Sequence, residues 1–187
     1  MLRAVDRCTA GEAARGRSQG ALEGRLAALR RGGTTARPRW RYRGHGPEHM
    51  IHTKGEFEEL ARSRRPDDLE RLRRDAVSWE AAIAIRQSES DVRAWLVLNK
   101  SIGGDVLRRY ADDDDVRVRS FVARRRAANT ETLALLASDA DVSVRAAVAW
   151  NPGTPAHVLD QLENDGEEIV RAAVRGARLK RLKKDNR

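Results

Sequence analysis

Four arginines stand at one spacing. Arg93, Arg119, Arg145 and Arg171 each follow a valine, and each lies 26 residues after the last. A guanidinium is permanently charged and presents a fork of donors that matches a carboxylate or a phosphate. Two chemistries are open to such a row: an anion-binding stripe, or a ladder of ion pairs. Carboxylates share the spacing. Glu89, Asp115, Asp141 and Glu167 stand four residues before each arginine, and Asp113, Asp139 and Asp165 six before the last three. The favoured reading is structural: each arginine pairs with an acid of its own or the next unit and so fixes register. Arg119 is expected to pair with Asp113 or Asp115, and Arg145 with Asp139 or Asp141.

Other groups invite chemistry less strongly. Arg124, Arg125 and Arg126 stand where neighbouring units have Leu98-Asn99-Lys100 and Trp150-Asn151-Pro152. Residues that depart from a shared column are not dictated by stacking. Arg124, Arg125 and Trp150 are therefore the expected partner-binding surface, an aromatic anchor flanked by guanidinium groups suited to an acidic protein patch. Asp112 to Asp115 is acidic but lacks the alternating oxygen ligands and glycine turn of a calcium loop. His45, His49 and His52 have no evident fourth ligand for zinc. Neither His157 nor the serines have neighbours forming a base–nucleophile pair. A single cysteine, Cys8, excludes an intrachain disulfide framework and a cysteine-ligated cluster. No catalytic residue, metal ligand or cofactor site is expected, and the chain is not expected to be an enzyme.

The elements that must carry these residues follow from the period. Leu96, Val122, Val148 and Val174 share one apolar column; Leu107, Leu133 and Leu159 share another, and Tyr110, Leu136 and Leu162 a third. Each unit reads as two short helices. Asp141 caps VSVRAAVAW, Asn151-Pro152-Gly153 stops it, and Thr154 caps the next helix with Pro155 in its first turn. Neither helix hides its apolar face alone, so units must stack. The expected fold is all-α: a right-handed α-solenoid of short helix pairs with a 26-residue repeat over 91–187. Residues 50–90 supply out-of-register capping helices, with Phe57, Leu60, Leu69, Leu72, Trp79, Ile83 and Ile85 as apolar positions.

Charge is unevenly placed. The chain of 187 residues carries a net +9, yet residues 1–49 contribute +7, residues 171–187 another +7, and residues 50–170 carry −5. Residues 1–49 hold 11 Arg and no Lys, Ile, Asn or Phe. Such a segment is expected to be disordered, or a translation-start artefact ahead of Met50. Its basic charge and that of the C-terminal end leave nucleic acid as a lesser partner; the acidic body argues against it. No apolar run is long enough to cross a bilayer, and no secretory leader is evident, so the expected location is the cytoplasm.

The stretch VRAAVAWNPGTPAHVLDQLENDGEEIVRAAV resembles the bacterial leucine-rich variant repeat, with its pattern VR..VA.N...TP...L..L..D. The match is strongest over Val144–Asp165 and partial in earlier units, where Arg125-Arg126 and Asn99-Lys100 replace Asn-Pro. The Asp…Val-Arg spacing is also similar to HEAT repeats. Together these cover residues 91–177 and imply an α-superhelical, non-enzymatic module for protein–protein interaction, of adaptor, regulatory or immunity type. Some family members carry a cysteine-rich iron–sulfur segment, and this chain lacks those cysteines. The alternative implied by the HEAT likeness is a DNA-binding protein of the DNA glycosylase type, whose groove would require a basic body.

Overall fold

In the computed structural model, residues 49–185 are described, and they lie within one compact unit. Among them the fold is all-α. Ten helices run in order: α1 (Lys54–Ser63), α2 (Pro66–Arg74), α3 (Trp79–Ala84, continued by a 3₁₀ turn, Ile85–Gln87), α4 (Ser90–Leu98), α5 (Gly104–Arg109), α6 (Val116–Arg124), α7 (Thr130–Leu136), α8 (Val142–Trp150), α9 (Ala156–Glu163) and α10 (Glu168–Asp185). One feature is not helical. Met50–Ile51 (β1) pairs in parallel with Ala76–Val77 (β2), with Met50 opposite Ala76. Expectations for residues 1–48 lie outside the described residues.

The helices are short because the sequence punctuates them. Asp115 and Asp141 accept from the backbone N–H two residues on, Arg117 and Ser143, and so start α6 and α8. Asn129 accepts from Thr132 N and starts α7. Thr154 does not act as expected. Its hydroxyl donates back to the Val148 carbonyl at 2.6 Å, and the residue that precedes α9 is Pro155, which offers no side-chain cap. The Val148 carbonyl, which also accepts from Asn151 N at 3.0 Å, gives the buried hydroxyl a partner within the turn that ends α8.

Helices of like position pack side by side. α4 lies on α6, α6 on α8, and α8 on α10, while α3, α5 and α7 follow one another behind them. The core lies between these rows. Leu96, Val122, Val148 and Val174 are fully buried, with Leu107 and Leu133, as are Phe57, Leu72 and Ile85 at the N-terminal end. Leu69, Trp79 and Ile83, expected inward, are only half-buried. Tyr110 is also buried, and its hydroxyl donates to the Ala82 carbonyl of α3 at 2.7 Å. Its apolar surroundings push the phenol pKa upward.

Candidate functional site

The arginine row is a ladder, but its rungs run forward. Arg93 Nε and Nη2 close on the two oxygens of Asp113, each at 2.8 Å. Arg119 makes the same fork with Asp139, at 2.7 and 3.0 Å, and Arg145 with Asp165, at 2.7 and 3.1 Å. Every carboxylate lies 20 residues downstream, in the turn of the next helix pair. The expected pairing of Arg119 with the carboxylates of Asp113 or Asp115, and of Arg145 with those of Asp139 or Asp141, is corrected. The preceding turn offers carbonyls instead: Arg119 Nη1 donates to Asp113 O at 2.7 Å, and Arg145 Nη1 to Asp139 O at 2.8 Å. The carboxylates there are otherwise used. Asp115 and Asp141 cap helices, while Asp113 and Asp139 accept from the N–H groups of Asp115 and Asp141 and bond the preceding unit's arginine. Arg171 pairs with the exposed Glu168 and donates to the carbonyls of Asp165 and Gly166.

The electrostatics agree with this geometry. The Arg145 hydrogen bonds hold the Asp165 pKa below the ordinary carboxylate value. Burial would raise that of Asp113, yet the Arg93 fork and the Asp115 N–H outweigh it and the net direction is down. With side chains only 17% exposed on Arg119 and 7% on Asp139, the ladder has little room for an incoming anion.

A second set of ties joins the units at the other end of each first helix. Asn99, Arg125 and Asn151 occupy one column. Asn99 Nδ2 donates to Leu72 O and Asp75 O at 2.6 and 2.9 Å, and Asn151 Nδ2 to Ala123 O and Arg125 O at 2.6 and 2.9 Å. Arg125 does the same work with a longer side chain, donating to Leu98 O and Ile102 O at 3.0 and 3.1 Å. Its half-buried guanidinium is committed to the chain's own carbonyls, and burial lowers its pKa. Arg125 therefore leaves the expected surface cluster. Arg124 stays exposed at the end of α6. Trp150 is 46% exposed; its ring lies on Gly176, where a β-carbon would collide with it, and Lys180 Nζ stands 4.4 Å from the ring centroid. Arg124 and Trp150 thus end the adjacent helices α6 and α8, and no bond joins them among the described residues.

No group of three or more His, Cys, Asp or Glu side chains able to hold a metal exists among the described residues. Asp112 pairs with Arg86, and Asp113 and Asp114 with Arg93. His45 and Cys8 lie outside the described residues. No helix among them is long and apolar enough to cross a membrane.

An apolar cleft lies elsewhere. A cleft of about 610 Å³ runs between α1, α2, α4 and α6, and is lined by Leu69, Trp95, Leu98 and Phe121, with Arg62, Arg64 and Arg117 among its charged residues. Trp95 and Phe121 share a column that continues as Ala147 and Ala173, both buried. Two aromatics in a column that turns to alanine were the sequence signal for this surface, and comparing only the column of Trp150 missed it. Arg64, which ends α1, has φ 52° and is the only non-glycine residue in the left-handed region among those described. It makes no ion pair among the described residues, whereas Arg62 pairs with Glu58 and Arg117 with Asp91 and Asp115.

No family model, curated protein or solved structure matches this chain.

Proposed function

We propose that the chain is a non-enzymatic, protein-binding α-solenoid of the leucine-rich variant or HEAT-like type, with 91–187 as its repeats and 50–90 as its cap. The reading is supported by Arg–Asp forks that recur at one spacing between successive helix pairs, and by Asn or Arg bonds to carbonyls of the preceding helices at the other end. A stacked array of this kind presents an extended surface whose specificity lies in its non-shared residues.

The observation that carries the binding role is the Trp95–Phe121 cleft. Aromatic side chains beside Arg64, which makes no ion pair among the described residues, suit one occupant: an extended segment of a partner protein that inserts an apolar side chain and sets a carboxylate against Arg64, away from Glu89 and Asp91 at the other wall. The test is a peptide selection against the full chain, followed by calorimetric titration of the selected peptides. Selected sequences should share an apolar residue next to an acid. Trp95→Ala should weaken them at least ~10-fold, as expected of an anchor. Arg64→Gly should also weaken them while stabilising the fold, since glycine removes the left-handed penalty. Peptides without that pattern, or unaffected by Trp95→Ala, would place the partner surface elsewhere. A salt-sensitive titration with duplex DNA in parallel would favour the nucleic-acid alternative.

A further inference from the structure

Helix α10 buries one face and leaves another uncovered. Val170, Ala173, Val174 and Ala177 pack inward, against α8 and α9. The opposite side exposes Leu179 and Leu182, at 59 and 62% exposure, with Ala172, and Ile169, at 63%, stands at its edge. No other element among the described residues exposes so many large apolar side chains. Single exposed leucines mean little, but a stripe on one helix points to a partner.

The order of residues along the stripe says which partner. Glu168 and Lys183, and likewise Ala172 and Leu179, are placed symmetrically about the point between Arg175 and Gly176. An identical helix laid antiparallel with its dyad at that point sets Ala172 against Leu179 and Glu168 against Lys183, twice over. Ile169 and Leu182 lie at matching levels but on opposite flanks, about 140° apart around the helix, so the apolar contact is carried by Ala172 and Leu179. The acids of the helix stand at its start, Glu167 and Glu168, and Lys180, Arg181 and Lys183 at its finish, although Glu168 also pairs within the helix with Arg171 and Arg175, so a partner's Lys183 must share it. A parallel copy would face like with like, whereas an antiparallel one pairs each end with its opposite and also opposes the helix dipoles. Trp150, lying on Gly176, is brought to the dyad beside its own copy.

We propose that α10 is a self-association surface through which two copies of this chain pair antiparallel about Arg175 and Gly176. The proposal is independent of the partner cleft, which lies on α1, α2, α4 and α6. One helix pair about 27 Å long is a small interface, so the dimer is expected in the micromolar range rather than as an obligate one.

Sedimentation equilibrium on the full chain, from about 1 to 200 μM, tests it against that expected range. The wild type should pass from monomer to dimer, and Leu179→Lys should stay monomeric with its helical circular dichroism intact. Glu168→Lys and Lys183→Glu should each weaken association at least ~10-fold when alone, because like charges then meet at both ends. An equimolar mixture of the two should associate again, since each altered residue now faces its opposite. Wild-type protein that is monomeric throughout, a Leu179→Lys variant that still dimerises, or a mixture that shows no rescue would each overturn the proposal.

Discussion

Arg145 and Asp165 form a two-point bond, with Nε and Nη2 at 2.7 and 3.1 Å from the two carboxylate oxygens across one helix pair. Asp165 also accepts from Glu167 N, which shapes the turn before α10. Arg145→Met should therefore loosen the packing of α10 on α8, and urea unfolding should show a loss of ~1–3 kcal/mol, the cost of stranding a largely buried hydrogen-bonded group. Arg171→Met removes an ion pair to a carboxylate that is 64% exposed and should cost less, about 0–1 kcal/mol from that pair. A smaller loss for Arg145→Met than for Arg171→Met would mean the forward bond does not hold the units together.

Acid should undo the same ladder. Asp165 and Asp113 have folded-state pKa values below their ordinary ones, the first through the Arg145 hydrogen bonds and the second because Arg93 and the Asp115 N–H outweigh burial. A depressed carboxylate contributes stability that is fully present above its unfolded value, about 3.9, and is lost as pH falls through the folded value. The urea midpoint should be level near neutrality and drop below about pH 4. Asp165→Asn should be less stable at neutral pH but show a shallower acid limb. An unchanged limb would show that Asp165 is not among the groups that set it.

Thr132 is fully buried and its hydroxyl has no hydrogen-bond partner. It occupies the column of Val106 and Val158. Thr132→Val keeps the shape and removes a group desolvated without compensation, so it should stabilise the fold by ~1 kcal/mol. A thermal midpoint equal to or lower than that of the wild type would count against a dry, unpaired hydroxyl.

Asn151→Leu should be among the more damaging single changes, costing ~2–4 kcal/mol, because it leaves the Ala123 and Arg125 carbonyls without their side-chain donor. Arg125→Asn should be better tolerated than Arg125→Leu, since it restores the group that Asn99 and Asn151 carry in this column. Equal effects of the two Arg125 variants in urea unfolding would show that the guanidinium bonds to Leu98 O and Ile102 O contribute little.

The buried columns were legible because one constraint acts on all of them. Leu96, Val122, Val148 and Val174 face the same neighbours in each unit, so the spacing alone announces them. The partner of each arginine was not legible to the same degree. Acids four and six residues back look close along the chain, but their carboxylates are spent on caps and turns, and the guanidinium reaches the next unit's turn. Arg125 looked like a departure from the asparagine column because composition hides that a longer side chain can still bond carbonyls of the preceding unit, although not the same ones. The cleft beside Trp95 depends on how α1 and α2 lie against α4 and α6. That end does not keep the 26-residue register, so the column of Trp95 and Phe121 pointed to one wall of the cleft and nothing pointed to the other.

The forward direction of the ladder also sets an order in time. A ribosome releases the chain from its amino end, and a bond to a residue 20 positions ahead cannot close before that residue has been made. During synthesis, α4 can form and Arg93 can bond the Ser88 carbonyl while it still waits for Asp113. Once Asp113 has emerged, Arg119 waits in turn for Asp139, and Arg145 for Asp165. The newest helix pair is always fastened to the older ones last, and until then its arginine has the carbonyls of its own turn to hold it. A stall in translation within 20 residues after any of these arginines would leave that one rung unfastened, at the growing edge, with every earlier rung free to close.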